Sequence, residues 1–193
     1  MTANLQKIAL KFFVRDAQAA RLKEFVPVFH RWIQTRAVEG LLIDVADYSH
    51  LENGPGVTLV GHDSDYYLDT MEGPLGLLYT RKAPLQGPLE GRLRACLRTA
   101  LTACAKLEDE PEFDGRLRFA GGEALFLAND RLAAPNTAEA FAALRPDLSA
   151  AFSRLYGGPV ELHREAADAR RRLAIRIVGD PAADVATLLR RLA

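Results

Sequence analysis

The chain has 193 residues, and 25 lysines and arginines balance 25 aspartates and glutamates, so the formal net charge is zero. Proteins that hold nucleic acid or anionic membranes through charge need a positive surplus, so this balance argues against both partners. A hydrophobic fraction of 49% is ordinary for a folded protein and argues against disorder. The length suits one domain, residues 1–193, with two pseudo-symmetric halves at 1–110 and 111–193 as a finer division.

The sequence predicts a cytoplasmic protein. Its N-terminal apolar run is short and is interrupted by Lys11 and Arg15, so we expect no secretory signal. No stretch approaches the ~18 consecutive apolar residues that a membrane span requires. Cys96 and Cys104 fall on one predicted helix, about 12 Å apart along its axis, too far for a disulfide with each other. We expect both to be packed, reduced cysteines.

Residues 8–79 are predicted to form one long helix and a set of antiparallel strands. An apolar run predicts a strand over 8–14, and apolar residues at helical spacing predict a helix over 17–38 that Pro27 kinks. A strand over 41–47 follows, and Asn-Gly-Pro-Gly at 53–56 predicts a turn. Short connections then indicate an antiparallel meander of three strands, at 57–61, 66–69 and 75–79.

Residues 88–192 are predicted to form three helices separated by strand pairs. A helix begins at Pro88 and buries one apolar face. Strands at 116–119 and 123–128 are predicted to form a hairpin around Gly121-Gly122. Asn136 and Glu139 have the spacing of a capping box for the next helix, which Pro146 is expected to bend. The remaining predicted elements are two strands at 160–163 and 173–178 and a helix after Pro181.

These elements predict an α+β protein, with a mainly antiparallel sheet covered by amphipathic helices. The order strand-helix-strand-strand-helix occurs over 8–107, with an extra hairpin at 66–79, and again over 123–192, which suggests a pseudo-twofold duplication. This layout resembles the duplicated strand-helix-strand-strand modules of the GyrI-like ligand-binding superfamily. The resemblance implies two halves packed about a pseudo-twofold axis, with a small molecule between them. It carries over no binding residue.

A second resemblance rests on residues. The string VFHRWIQ at 28–34, followed by GLLIDVADYSHLENGPGVTLVGHDSDYYLD at 40–69, is similar to segments of a bacterial family of conserved hypothetical proteins. The similarity covers the first half of the chain. It implies a family but no activity.

The densest group of polar residues lies on predicted strand ends and turns between 44 and 67. The candidate ligand-binding residues are Asp44, Asp47, Tyr48, His50, His62, Asp63, Asp65 and Tyr67. Imidazole and carboxylate groups can hold zinc, manganese or iron, and the candidate metal ligands are His50, His62, Asp63 and Asp65. The alternative is that the acidic residues only cap turns and hairpin ends.

Two smaller groups are also candidates. Tyr66, Tyr67 and Tyr79 are placed to line a pocket between sheet and helix, although strand tyrosines commonly serve in cross-strand packing. The run Arg170–Arg172 is predicted to cap a hairpin loop, and it could bind an acidic partner.

Several function classes stay open. The chain has no nucleophile elbow, Walker loop, dinucleotide-binding fingerprint or His-Glu-x-x-His motif. The leading hypothesis is therefore a non-catalytic protein, without a cofactor, that binds a small molecule or a protein partner. One alternative is a metal-dependent hydrolase in which His50, His62 and neighbouring aspartates hold a divalent ion that activates water. Another is a subunit of a larger assembly, including a homo-oligomer.

Overall fold

A computed structural model describes residues 4–51, 54–165, 168 and 170–192. It shows an α+β fold, as predicted, with an eight-stranded antiparallel sheet and four α-helices in the described residues. The strands are β1 (Ile8–Phe13), β2 (Leu42–Asp47), β3 (Val57–Gly61), β4 (Ser64–Asp69), β5 (Gly76–Arg81), β6 (Glu123–Ala128), β7 (Glu161–Arg164) and β8 (Leu173–Val178). The helices are α1 (Phe25–Thr35), α2 (Leu89–Glu108), α3 (Ala138–Tyr156) and α4 (Val185–Leu192). None of these helices is long and apolar enough to cross a membrane.

The strand order is β2-β3-β4-β5-β1-β6-β8-β7, and every neighbouring pair is antiparallel. The strand β1 lies in the middle, between β5 and β6. Each half of the chain places its first strand at this centre and a hairpin at an outer edge. In the second half β6 pairs directly with β8, whereas in the first half β4 and β5 separate β1 from β3. The structure therefore does not confirm the predicted duplication.

The helices cover one face of the sheet. Side chains alternate along a strand, so Ile8, Leu10 and Phe12 of β1 point into the core that contains the buried residues of all four helices. α1 packs on β2 and β3, α2 on β1 and β5, and α3 on β7 and β8. No buried helix residue belongs to the second apolar cluster, which includes Ala9 and Phe13 of β1. We call the side of the sheet that carries this second cluster the helix-free face.

The first helix is shorter than predicted. α1 begins at Phe25, after a 3₁₀ turn at Leu22–Glu24, and it ends where Arg36 adopts a left-handed conformation with φ 51°. Pro27 is the third residue of the helix, where no intrahelical partner exists for a backbone N–H. The proline therefore removes no helical hydrogen bond, and the expected reason for a kink does not apply.

The predicted hairpin around Gly121-Gly122 is wrong. Residues 116–118 form no strand, and Phe119 makes only an isolated bridge with Val14. Neither glycine has the positive φ that a tight two-residue hairpin turn requires. Instead, a Cβ at Gly121 would lie within 3.0 Å of the Ala183 backbone. This glycine permits close packing against the segment before α4.

The third helix also differs in detail. Its N-cap is Thr137, whose hydroxyl accepts the Ala140 N–H at 3.2 Å, and Asn136 lies one residue earlier. Pro146 lies inside the helix, which runs through it without interruption. Cys96 and Cys104 are both buried and free in α2, so their predicted packing role is confirmed.

Replacing Gly91 by alanine is expected to stabilise the protein. Gly91 is exposed in α2, and an added Cβ would meet only Pro88, at 3.8 Å. Alanine lowers the entropy of the unfolded chain and favours the helix, so we expect a gain of about 0.5–1 kcal/mol in urea unfolding. Gly87→Ala is the control, because Gly87 also has open space but has φ +88°. It should lose stability, and equal gains at both positions would contradict this explanation.

Candidate functional site

The structure separates the predicted polar group into two ends of one hairpin. Tyr48 and His50 follow β2, and residues 52 and 53, in the predicted turn at 53–56 and its approach, lie outside the described part of the chain. His62 follows β3, at the other end. β3 has five residues, so its ends are about 14 Å apart at ~3.4 Å per residue. One ion cannot bridge that distance with bonds of ~2 Å.

The predicted metal ligands are therefore not brought together. His62, Asp63 and Asp65 lie near one another, but His50 is at the far end of β3. Within the described ranges, no group of three or more histidine, cysteine, aspartate or glutamate residues is placed to hold a metal ion. The structure thus provides no site for the hydrolase alternative at these residues.

Several of the predicted residues instead make local contacts, within β2 or at the ends of the strands. The Asp44 carboxylate accepts the N–H of Val45 at 2.8 Å. The Asp47 carboxylate accepts the Ser49 N–H at 2.8 Å, and hydrogen bonding to Ser49 lowers the pKa of Asp47. At the other end of the hairpin, Asp63 pairs with His62 Nδ1 at 2.8 Å, and this hydrogen bond lowers the pKa of Asp63. These contacts match the turn-capping alternative.

Apolar side chains are exposed along the same edge of the sheet. They are Leu41, Ile43, Tyr48 and Leu51, on or beside β2, the edge strand. Asp44 and Asp47 lie on this strand and are exposed. Charges on an edge strand oppose pairing with another strand. This surface therefore offers apolar contact area, but its two exposed aspartates oppose pairing of β2 with a strand of another chain. That the protein is a subunit of a larger assembly stays a prediction.

Asp65 and Tyr67 lie on the helix-free face. The Asp65 carboxylate accepts the Gly61 N–H at 3.1 Å and the Lys82 ammonium at 2.7 Å. The Tyr67 hydroxyl donates to Asp65 at 3.3 Å, and burial raises the pKa of Tyr67 to about 12. On the same side of β4, Asp69 continues this row of polar groups. These two members of the predicted group thus point toward the face that carries the largest concentration of buried charge.

The helix-free face is apolar at its centre and is shielded from water. Its buried members come from β1, β5, β6 and β8, and Tyr67 packs against them. We call this group the apolar strip: Ala9, Phe13, Leu78, Leu125, Leu127 and Ala174. Leu127 has no exposed surface, and Leu125 is 1% exposed. Since no helix residue belongs to the strip, other groups must provide its cover.

A buried ion pair lies within the strip. Lys11 is fully buried, and its ammonium donates to the Asp69 carboxylate at 2.8 Å, to the Asp69 carbonyl at 3.2 Å and to the Met71 carbonyl at 2.5 Å. Burial lowers the pKa of Lys11 and raises that of Asp69, and in each case it outweighs the attraction between the two charges. All three ammonium protons are used, and two of the three bonds fix the backbone that leaves β4.

That backbone, residues 70–75, crosses the helix-free face, and we call it the crossing segment. Gly73 lies against the ring of Phe13, where an added Cβ would be 3.3 Å from a ring carbon. Glu72 has φ 58° and Gly73 has φ 127°. The Glu72 carboxylate accepts from Arg171 at 2.6 Å and from Arg172 at 3.3 Å. The segment therefore links β4 to the residues immediately before β8.

A cavity of about 340 Å³ opens beside the crossing segment, and we call it the arginine cavity. Its lining residues are Glu72, Gly73, Leu125, Glu165, Arg171, Arg172, Ala174 and Arg176. Leu125 and Ala174 belong to the apolar strip and form its floor. Arg176 pairs with Glu165 at 2.7 Å and with Glu123, and its guanidinium lies 5.5 Å from the centre of the Phe13 ring.

None of the eight candidate ligand-binding residues lines the arginine cavity. Two of its arginines belong to the run Arg170–Arg172, which the sequence marks as a site for an acidic partner. Arg176 could be found from the alternation of β8, which puts it on the polar side. Glu72 gives no local signal, because its partner Arg171 is 99 positions away.

A second cavity, of about 210 Å³, lies between the sheet and α2. Asp63 and Tyr79 line it, whereas Tyr66 is absent from its lining and Tyr67 lies on the other face. The structure thus places one of the three predicted tyrosines in a pocket between sheet and helix. Its single arginine, Arg81, already donates to the Ala83 carbonyl at 2.8 Å. This cavity therefore offers fewer charged donors than the arginine cavity.

The fold and the cavity define an α+β protein with helices on one face of an antiparallel sheet and an arginine-lined cavity on the other. No protein-family model, curated protein or solved structure matches this chain. The resemblances to the GyrI-like superfamily and to a bacterial conserved-hypothetical family therefore stay predictions from the sequence.

Proposed function

We propose that this chain is a non-catalytic protein that binds a small anionic molecule in the arginine cavity. The observation that carries the proposal is the convergence of Arg171, Arg172 and Arg176 on one cavity with an apolar floor. The proposal keeps the leading hypothesis from the sequence and moves its site from residues 44–67 to the helix-free face. We further propose a cytoplasmic location, which the two free, buried cysteines support.

The chemistry of the lining favours an anion. A guanidinium offers planar N–H donors that match the two oxygens of a carboxylate or phosphate, and it stays charged at any physiological pH. Arg172 and Arg176 are partly shielded, with 28% and 29% of their side chains exposed. Charges in such a setting interact more strongly than charges in open water. A volume near the small end of the range for ligand pockets indicates a compact ligand.

The lining also supports binding rather than catalysis. Its ionisable residues are three arginines and two glutamates, and each of the five takes part in an ion pair. Arginine does not lose its proton near neutral pH, so the three arginines do not act as general acids or bases. Efficient proton transfer needs a group whose pKa lies near the working pH. The arginines of this cavity are therefore suited to holding an anion rather than to moving protons.

Arg172→Gln is expected to weaken anion binding by about ten- to a hundredfold. It removes a charged hydrogen-bond donor worth ~1.5–3 kcal/mol and leaves a shorter, uncharged polar side chain. The measurement is isothermal titration of the full chain with benzoate, citrate and inorganic phosphate as probes. At least one probe should show saturable binding that the substitution weakens.

Arg170→Gln is the matched control for this experiment. Arg170 is two positions from Arg172, but its side chain is 92% exposed and pairs with Asp168 outside the cavity. Its loss changes the net charge equally, so anion affinity should stay close to that of the unmodified chain. Equal weakening in both variants would indicate nonspecific charge attraction. No saturable binding of any probe, or binding unchanged by Arg172→Gln, would refute the proposed site.

A further inference from the structure

We infer that the ligand of the arginine cavity is a compact monocarboxylic acid with an apolar body. Its carboxylate would take the position that the Glu72 carboxylate occupies in this structure. The inference rests on the proposed function. It adds the class of the ligand and identifies the Glu72 carboxylate as the group that competes with the ligand for Arg171 and Arg172.

Glu72 shows how the cavity binds a carboxylate. One of its oxygens accepts from Arg171 at 2.6 Å and the other accepts from Arg172 at 3.3 Å. Only 17% of the Glu72 side chain is exposed, so this contact is largely shielded from water. The two guanidiniums are therefore already spaced to receive the two oxygens of a single carboxylate. A ligand with the same group could form the same pair of contacts.

The conformation of the crossing segment favours exchange. Glu72 has φ 58°, a left-handed conformation that is unfavourable for a residue with a side chain, and Gly73 follows with φ 127°. Strained backbone of this kind is concentrated at ligand clamps and switches. Displacing the Glu72 carboxylate would allow this residue to leave the strained conformation, which partly offsets the loss of its ion pairs.

The charge balance indicates a ligand with one negative charge. Three arginines and two glutamates line the cavity, and Glu123, which pairs with Arg176 just outside the lining, brings the net charge of this group to 3 − 3 = 0. Arg176 is already paired with Glu165 and Glu123. If the Glu72 carboxylate moves into solvent, a monocarboxylate restores the original balance. A multiply charged anion would leave excess negative charge beside Glu165.

The apolar floor indicates what the rest of the ligand is. Leu125 and Ala174 form the floor, and the Phe13 ring lies under the Arg176 guanidinium beside it. These surfaces offer few hydrogen-bonding partners to a ligand, so a sugar or a polyol would lose bonds to water without replacing them. A small ring or short branched chain attached to the carboxylate would make apolar contacts with the floor instead.

Benzoate and its neutral analogue benzamide test this inference. Glu72→Gln removes the competing charge, so the fraction of the protein with free arginines rises. We expect benzoate to bind Glu72→Gln about tenfold more tightly than the unmodified chain in isothermal titration, with little change for benzamide. Inorganic phosphate should bind both proteins more weakly than benzoate does. Urea unfolding of each variant verifies that it is folded.

Glu165→Gln is the matched control, because it removes an equal charge from the same cavity. Glu165 pairs with Arg176 and has no bond to Arg171 or Arg172 in the described structure. If both variants strengthen benzoate binding equally, net charge explains the effect and the position assigned to the ligand carboxylate is wrong. Phosphate binding as tight as benzoate binding would refute the ligand class.

The outcomes also separate this inference from the proposed function. Saturable anion binding that depends on Arg172 but is not strengthened by Glu72→Gln would refute the inference alone. If neither the unmodified chain nor Glu72→Gln binds any of the anions, the proposed function itself fails. Tighter binding of benzoate to Glu72→Gln, lost again when Arg172→Gln is added, would support both.

Discussion

Lys11→Met is expected to lower the free energy of unfolding by about 3–5 kcal/mol. The substitution removes the cation but leaves Asp69, which is 2% exposed, as an uncompensated buried charge. It also leaves the Met71 carbonyl without its ammonium donor. Methionine has a similar length and fills most of the same space. The lost free energy of unfolding therefore comes from charge and hydrogen bonding and not from a cavity. Urea unfolding at pH 7 measures the change.

The control is the double variant Lys11→Met with Asp69→Leu. Replacing a whole buried pair by apolar residues is often neutral or stabilising, because the cost of removing both charges from water disappears. The double variant should therefore be more stable than Lys11→Met alone, with a large coupling between the two sites. Additive losses would contradict this explanation.

The loss in Lys11→Met should also shrink as the pH falls. Burial raises the pKa of Asp69 in the folded chain even beside Lys11, and removing the cation raises it further. A folded-state pKa above the unfolded value of ~3.9 means that the folded state binds the proton more readily. Stability is then regained as the pH falls through the folded pKa and is lost as it rises. A loss that is independent of pH between 7 and 4 would show that charge is not its cause.

Gly179→Ala is expected to destabilise the protein by about 3 kcal/mol or to prevent folding. A Cβ at this position would lie within 3.0 Å of three atoms of the Tyr156 ring. Tyr156 is 3% exposed and stacks on Phe152, so its ring cannot easily move aside. Forcing extra volume into packed interiors typically costs ~1–3 kcal/mol, and here the backbone itself must shift.

Gly158→Ala is the control for Gly179→Ala. No atom lies within 4 Å of a Cβ at Gly158, and Gly158 has no positive φ. Its replacement should change the stability by less than about 0.5 kcal/mol. In a Tyr156→Ala background, where the overlapping ring is absent, Gly179→Ala should cost much less stability than it does in the unmodified chain. Similar losses in the two glycine variants would show that contact with Tyr156 is not the cause.

Local patterns were sufficient to predict much of the fold. Alternation over 173–178 predicted β8, and apolar spacing after Pro88 predicted α2, because each pattern reflects burial of one face. The prediction of a strand at 116–119 was wrong, because the contacts that decide the structure there involve residues distant in sequence. The adjacent Gly121 and Gly122 pack against backbone near Pro181, and a distant contact of that kind has no local signature.

The candidate site was harder to predict, because closeness in sequence differs from closeness in space. His50 and His62 are only twelve residues apart, yet a whole strand separates them. Glu72 and Arg171 are 99 positions apart and form an ion pair. Lys11 in the sequence only interrupts an apolar run, whereas in the structure it is a fully buried charge. Its role depends on the ion pair with Asp69, which is 58 positions away and which no local sequence pattern predicts.

The central position of β1 has a consequence for how the chain is synthesised. β1 is synthesised before both of its ladder partners, which are β5, at 76–81, and β6, at 123–128. One edge of this apolar strand therefore has no native partner until residue 128 has been translated. Unpaired apolar edges are sites of intermolecular association in growing chains. In nascent chains that stall before residue 128, an edge of β1 is therefore unpaired, and a chaperone that binds it would prevent association between chains.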